Sequence, residues 1–195
     1  MIIGLCGTQG SGKDTVANIL ISEYGFVKLT FASTLKDVVA ILFSWPRDLL
    51  EGLTEESRLW RETVDDFWSE KLSIPSFTPR KALQMIGTDL FRIHFNNDIW
   101  INIVENKIGA TLKNNPNTNI VISDCRFANE FSIIKQFPDS HIITILREKN
   151  IIQNLAHSSE TEWVNYNLDA ILQNDNSIDD LKSNLKSLLS SRFGK

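Results

Sequence analysis

Apolar positions along the chain recur with two alternating periods. Met1-Ile2-Ile3-Gly4-Leu5-Cys6 is a continuous apolar run, which predicts a buried strand. From residue 13 the period lengthens. Val16 and Leu20, with Ala17, Ile21 and Tyr24, fall at helical spacing, and Gly25 closes the predicted helix over 13–24. Phe26–Phe31 reads as a second strand. Leu35, Val38, Val39, Leu42 and Phe43 then form an amphipathic helix that Trp45-Pro46 breaks. Thr54 to Lys71 reads as one helix, with Leu59, Trp60, Val64, Phe67 and Trp68 near one side. Thr78-Pro79 is a helix start, Thr as N-cap and Pro in the first turn, and the helix runs through Arg92 with Leu83, Ile86, Leu90 and Ile93 as its core face. A further helix spans Asp98 to Lys113, with Trp100 or Ile101, Val104 and Ile108 inward. After a turn at Asn114–Asn117 come a buried strand at Asn119–Ser123, a short helix over 127–137, a strand at His141–Leu146 and a last short strand within Leu168–Leu172. Ser177 to Asp180 resembles a capping box, and Ile178, Leu181, Leu185 and Leu188 mark a closing helix. Strands alternate with helices and no internal repeat is present. The pattern predicts a three-layer α/β/α sandwich on a mainly parallel five-stranded sheet, with a helical insertion.

Composition narrows the function classes. A length of 195 residues suits one domain, and 42% apolar residues make the chain globular. The net charge of −4 and the lack of any long Lys/Arg run argue against a nucleic-acid partner. Met1 leads directly into the first strand, no basic n-region precedes it, and the apolar runs are too short to span a bilayer. Cys6 and Cys125 are the only cysteines, so no disulfide framework is indicated. The expectation is a cytoplasmic protein with reduced thiols and no membrane partner.

Candidate chemistry begins at Gly7-Thr8-Gln9-Gly10-Ser11-Gly12-Lys13-Asp14-Thr15, between the first strand and the first helix. Strand, Gly-rich loop and helix with Lys at this spacing form a phosphate-binding loop. The glycines let backbone N–H groups approach a phosphate, and the helix N-terminus favours the same charge. Gly10, Ser11, Gly12, Lys13, Asp14 and Thr15 are therefore candidate nucleotide-binding residues, Lys13 reaching the β- and γ-phosphates. The place after the lysine, usually Ser or Thr on magnesium, is Asp14, and the hydroxyl comes one residue later at Thr15. The G-x-x-G-S-G-K-x-T spacing resembles the loop of nucleoside monophosphate kinases more than that of GTPases. It leaves open whether magnesium is held by Thr15, through water, or by a carboxylate elsewhere.

Asp124 follows a predicted buried strand, at the sheet edge where open α/β folds bind ligands, and Arg126 faces the same crevice. Asp124 is a candidate to organise magnesium; the pair can equally be a structural ion pair. Arg147 ends the next strand. The polar stretch over 147–167, with His157, Ser159 and Glu160, suits a lid that excludes water, or an ordinary solvated connection. Arg80, Gln84, Gly87 and Phe91 share a second helix face that suits either a base edge beside a phosphate or helix packing against Gly87. Trp45, Trp60 and Trp68 are either a base-stacking wall or the core of a helical lobe. Lys36 and Asp37 suit a substrate contact or a solvated helix face.

Taken in order, these residues resemble the phage-type deoxynucleoside monophosphate kinases, within the P-loop kinases. The resemblance rests on Ser11-Gly12-Lys13-Asp14-Thr15, Leu35-Lys36-Asp37, Arg80, Gln84-x-x-Gly87-Thr88-Asp89-Leu90, Trp100, Asp124-x-Arg126, Arg147 and His157-x-Ser159-Glu160. It implies a single P-loop kinase domain over 1–195, with a helical acceptor-binding lobe at 44–113 and a lid at 147–167. It implies phosphoryl transfer from ATP, with Mg²⁺, to a deoxynucleoside monophosphate, and a role in viral nucleotide supply. Lys13, Asp124, Arg126 and Arg147 become the expected catalytic residues. Lys36, Asp37, Arg80, Gln84, Thr88, Asp89, Trp100 and Arg126 become the expected acceptor contacts, and Thr15 and Asp124 the magnesium ligands. Nucleotides are the expected partners, and a homodimer is left open. The competing readings are a kinase for another small acceptor, of the phosphomevalonate or shikimate kind, and an ATP-binding switch or scaffold. P-loop kinases place the first strand beside the strand ending in the acidic residue, which would bring Cys6 and Cys125 together as oxidation-sensitive thiols.

Overall fold

A computed structural model describes residues 1–147, 166 and 168–194. The chain divides into two compact units, Met1–Thr30 with Val104–Lys195, and Phe31–Ile103.

The first unit is built on five parallel strands: β1 (Ile2–Cys6), β2 (Val27–Leu29), β3 (Ile120–Ile122), β4 (Ser140–Leu146) and β5 (Ala170–Gln173). Their order is β2-β3-β1-β4-β5. The register pairs Gly4 of β1 with Ile122 of β3 and with Ile142 of β4. β1 therefore lies at the centre, flanked by β3 and β4, and it is buried throughout because both faces are covered. On one face, Ile3, Leu5, Ile143, Ile145 and Leu172 pack against Val16 and Leu20 of α1 (Lys13–Tyr24) and Leu181, Leu185 and Leu189 of the closing helix Ile178–Phe193. On the other, Gly4 stands close to Ile134 of the helix Ala128–Ile134. A Cβ at Gly4 would lie 2.8 Å from the Ile142 side-chain tip and 2.9 Å from that of Ile134, so a larger residue would force both to shift. These are the three expected layers, and every strand pair among the described residues is parallel.

The predicted caps form. Gly25 ends α1 at a φ of 68°. Ser177 Oγ accepts the Asp180 N–H at 3.2 Å while Asp180 accepts the Ser177 N–H at 3.2 Å.

The second unit is helical: α2 (Ser33–Phe43), α3 (Glu55–Glu62), α4 (Asp66–Leu72), α5 (Pro79–Gln84) and the start of α6 (Ile99–Asn114). The single helix expected over Thr54–Lys71 is two. Asp65 accepts the Trp68 N–H at 3.0 Å and starts a new helix, and the turn before it leaves Leu59, Val64 and Phe67 exposed. Trp60 and Trp68 do pack inward. Trp45 stacks on Phe43 with centroids 4.5 Å apart, Trp60 and Phe77 approach Trp45, and Trp68 meets Phe43 edge-on. The Trp45 indole N–H donates to Asp65 at 2.9 Å and that of Trp68 to the Phe43 carbonyl at 3.3 Å. The tryptophans are thus the core of this unit rather than an open stacking wall.

The helix begun at Thr78, whose hydroxyl accepts the Lys81 N–H at 3.1 Å, does not stay α-helical. Residues Met85–Phe95 form a π-helix, in which Asn96 N–H reaches back five residues to the Phe91 carbonyl at 2.8 Å. The wider turn rotates the expected core face outward, and Leu90 is 53% and Ile93 67% exposed. Gly87 is buried: a Cβ would come within 2.5 Å of the Leu35 side chain, so this glycine serves packing. On α2, Val39 and Ala40 are buried and Leu42 is exposed, against the expectation for Leu42.

Candidate functional site

The Gly-rich loop lies between β1 and α1. Gly7, Gly10 and Gly12 take φ values of 132°, 77° and 106°, and at Gly7 a Cβ would meet the Ile145 carbonyl oxygen at 2.4 Å. The Lys13 ammonium folds back over the loop and donates to the carbonyls of Gly7 at 2.7 Å and Thr8 at 2.8 Å. Ser11 is fully buried, and among the described residues its hydroxyl finds no hydrogen-bond partner. Asp14 is turned away, paired with Lys28 of β2 at 2.9 Å. The position that usually carries the magnesium hydroxyl therefore serves an exposed ion pair, and Thr15 is the hydroxyl of the first helical turn.

The neighbouring strand brings the acidic group to the same sheet edge. β3 pairs with β1, and the ladder extends past its end, where the Cys125 N–H donates to the Leu5 carbonyl at 3.2 Å. Asp124 and Arg126 flank that bond. Glu130, only 2% exposed, accepts the backbone N–H of Arg126 at 2.7 Å and of Phe127 at 3.1 Å through one carboxylate oxygen. The Asp-x-Arg turn is thus tied to β1 on one side and to a buried carboxylate on the other. Arg147 is exposed, one residue beyond β4 on the other side of β1. Thr15, Asp124, Arg126 and Arg147 all belong to the first unit. His157, Ser159 and Glu160 lie outside the described residues.

Both cysteines lie at this edge, as the strand order requires, but both thiols are buried. Burial pushes Cys6 up to about 11, against an opposing hydrogen bond with Thr144 (3.1 Å) and the Lys13 charge. Burial also pushes Cys125 well up, reinforced by Glu130 and Asp124. A protonated, enclosed thiol is a poor target for oxidants, so the expected oxidation sensitivity is corrected.

In the second unit the expected acceptor contacts Lys36, Asp37 and Arg80 are already engaged. Lys36 pairs with Glu51 at 2.6 Å, and Asp37 with Arg47 at 2.5 Å; Arg47 also reaches Glu51 at 2.5 Å. Burial works to raise the Glu51 carboxyl, but Lys36 and Arg47 outweigh it and hold it below its ordinary value. Arg80 is paired with Glu62. Gln84, Thr88 and Asp89 are exposed. Trp100 is 4% exposed, stacks toward Phe91 at 5.2 Å and donates its indole N–H to the Gly87 carbonyl at 3.0 Å. It anchors the π-helix and does not present an open ring.

A model of the deoxynucleotide monophosphate kinase family matches residues 61–185. A protein of Acanthamoeba polyphaga mimivirus, described as a deoxynucleotide monophosphate kinase, is 34% identical over 193 residues, 95% of this chain and 94% of the viral one. The chain belongs to the deoxynucleotide monophosphate kinase family. The deoxynucleoside-5'-monophosphate kinase of Escherichia phage T5 is 26% identical over 184 residues, 70% of this chain and 72% of the phage enzyme. Among solved structures, TT1252 from Thermus thermophilus aligns with a TM-score of 0.52 at 19% identity, over 97% of this chain and 96% of that one, which shows a shared fold.

Within this kinase family chain, four engaged polar residues escape a reading of the sequence. Arg47 and Glu51 complete the Lys36 network from the far side of a proline. Glu130 stands three residues after Phe127, which is not a capping residue type, so its capping pattern is disguised. Asn174 donates to the Ser11 carbonyl at 2.7 Å across 163 residues of sequence. Among the described residues no helix is long and apolar enough to cross a membrane, and no group of three or more His, Cys, Asp or Glu could hold a metal ion.

Proposed function

We propose that the protein transfers the γ-phosphoryl group of ATP to a deoxynucleoside monophosphate, forming the diphosphate. The observation that carries this is the pairing of β1 with β3, which sets the Lys13 loop and the Asp124-x-Arg126 turn on adjacent strand ends. Family membership supplies the acceptor class.

The acceptor oxygen belongs to a phosphate and is already anionic, so the reaction needs positioning and charge neutralisation more than a strong base. Lys13 exchanges its two carbonyl partners for the β- and γ-phosphate oxygens, and the loop amides hold the same groups. Arg126 holds the acceptor phosphate and Arg147 neutralises the group in transfer. Thr15 and Asp124 offer hard oxygen donors. With no three-residue metal cluster among the described residues, this set fits a magnesium ion that takes its remaining ligands from phosphates and water. An ion held there by Thr15 and Asp124 would supply neutralisation of phosphate charge. From the second unit, Gln84, Thr88 and Asp89 on the π-helix side, Arg80, and the Lys36–Asp37 network are assigned to the acceptor nucleotide, with Trp100 acting through the segment it anchors.

The test is ADP release from ATP and Mg²⁺ with dGMP, dTMP, dCMP, dAMP and the matching ribonucleotides. Acceptor-dependent ADP with one or more deoxynucleotides is expected. ATP binding with no acceptor-dependent turnover across the panel would overturn the assignment. Arg126→Ala is expected to lower turnover or raise the acceptor KM by about 10–100-fold, the usual loss for one charge-assisted contact. Near-normal values for both would remove Arg126 from the acceptor site.

A further inference from the structure

We propose that Asn174 is a positioning residue for the phosphate loop, orienting the Ser11–Gly12 peptide so that the Gly12 N–H faces the nucleotide phosphates. Asn174 lies one residue beyond β5, and its own N–H donates to the Leu146 carbonyl at 2.8 Å, extending the β4–β5 ladder. Its backbone is therefore fixed by the sheet. From that fixed point the side-chain amide donates to the Ser11 carbonyl at 2.7 Å. A carbonyl only accepts, so the amide must present its nitrogen here.

The consequence follows from peptide geometry. The described chain has no cis peptide bond, and in a trans peptide the C=O and the following N–H point in opposite directions. Holding the Ser11 carbonyl toward Asn174 turns the Gly12 N–H to the opposite side. A second observation shows how closely the amide is fitted. A Cβ at Gly12 would lie 2.2 Å from Asn174 Nδ2, so Gly12 is required by this contact as well as by its φ of 106°. The loop residue that precedes Lys13 is thereby registered against the strand end that precedes Arg147. The loop on its own would be free to rotate that peptide. Turning it would swing an N–H donor out of the anion cradle and a carbonyl oxygen in, which repels a phosphate.

The proposal rests on the reading of the loop as the ATP phosphate site. Asn174→Leu keeps nearly the same volume and removes the donor, and Asn174→Ala provides a second variant should leucine disturb folding. Binding of ATP and of inorganic tripolyphosphate is measured by calorimetry, and acceptor KM by steady-state turnover. The expected result is a loss of about 10–100-fold in affinity for both ATP and tripolyphosphate, the fold-change of one hydrogen bond to a charged group, with acceptor KM within about threefold of wild type. Weakening of ATP alone, with tripolyphosphate unchanged, would overturn the proposal, because Asn174 would then act on the nucleoside. Unchanged affinity for both ligands would also overturn it, as would equal loss of ATP and acceptor affinity. Wild-type protein that binds both ligands but shows no acceptor-dependent turnover refutes the kinase reading and leaves the binding comparison decisive. Wild-type protein that binds neither refutes both.

Discussion

Glu130→Ala tests whether the Asp124–Arg126 turn is held by a buried carboxylate. In the wild type one Glu130 oxygen takes two backbone N–H groups, at 2.7 and 3.1 Å, and the residue is 2% exposed. Truncation removes both bonds and leaves a void beside the buried Cys125. A hydrogen bond to a charged group contributes about 1.5–3 kcal/mol. Arg126 is exposed, so its amide regains a water partner and recovers much of that. Phe127 is half-buried, so its amide recovers less than that of Arg126. Together with the void, the expected destabilisation is about 2–4 kcal/mol. Glu130→Gln keeps the volume and one acceptor oxygen for both N–H groups, so it is expected to lose less than about half as much. Urea unfolding followed by circular dichroism measures both, with an unchanged m-value as the sign that only stability has moved. The turn carries Asp124 and Arg126, and a misplacement of about 1 Å costs on the order of 100-fold in rate, so Glu130→Ala should also lose about 10–100-fold in saturated turnover. An alanine variant within about 0.5 kcal/mol of wild type would refute the reasoning, since a buried carboxylate with two real N–H partners cannot be removed at that cost.

Gly7→Ala should abolish most ATP binding, by more than about tenfold. Its Cβ would meet the Ile145 backbone oxygen at 2.4 Å with φ at 132°, and a strand carbonyl cannot move aside as a side-chain tip can; calorimetric titration with ATP reads this directly. Both thiols should resist an aromatic disulfide reagent at pH 8 in the native protein and react fully in urea, because burial keeps them protonated. The same shifts give a pH dependence. Burial pushes the folded Cys6 thiol up to about 11, from 9.0 for an unburied thiol, so above pH 9 the unfolded chain binds fewer protons than the native one. The stability this thiol contributes is complete below pH 9 and is lost as pH rises through 11, at up to about 1.4 kcal/mol per pH unit. Unfolding at pH 8 and pH 10 measures it, and Cys6→Ala should reduce that difference while the Cys125 share remains; an equal slope in wild type and variant would refute the assignment.

The loop and most caps were legible because each is written in adjacent residues, while the strand order at the sheet edge followed from the family resemblance. Gly7 to Thr15 is one contiguous stretch, and Ser177 with Asp180 is a local pattern. Two kinds of feature were not. One is a departure from standard periodicity: Leu83, Ile86, Leu90 and Ile93 fit a helix of 3.6 residues per turn, but the segment after Gln84 is a π-helix, and the extra residue per turn carries Leu90 and Ile93 outward. Trp100, whose indole holds the Gly87 carbonyl at 3.0 Å, stabilises that departure from 13 residues away, and no local propensity reports it. The other is long-range pairing. Asn174 reads as an ordinary turn residue until the β4–β5 ladder places it against Ser11. The break near Asp65 did have a local signal, an Asp able to cap a new helix, which the aromatic residues on both sides concealed.

Lys13 and the cations of the helical unit differ in what they already hold, and this bears on how affinity and selectivity arise. Lys13 donates to two neutral carbonyls, and a phosphate oxygen outcompetes those because the new bond is charge-assisted on both sides. Arg80, Lys36 and Arg47 instead hold carboxylates: Glu62 for Arg80 and Glu51 for both others. An anion that takes one of these cations must either displace a carboxylate or share the cation with it, and a displaced, half-buried Glu51 would lose two partners at once. The net gain from such an exchange is small. A ligand that fits the ion-pair network of the helical unit without dissolving it would be favoured there over one that strands a carboxylate. If this unit binds the acceptor, as proposed above, acceptor choice would be set by the carboxylates Glu51 and Glu62 as much as by the cations they hold.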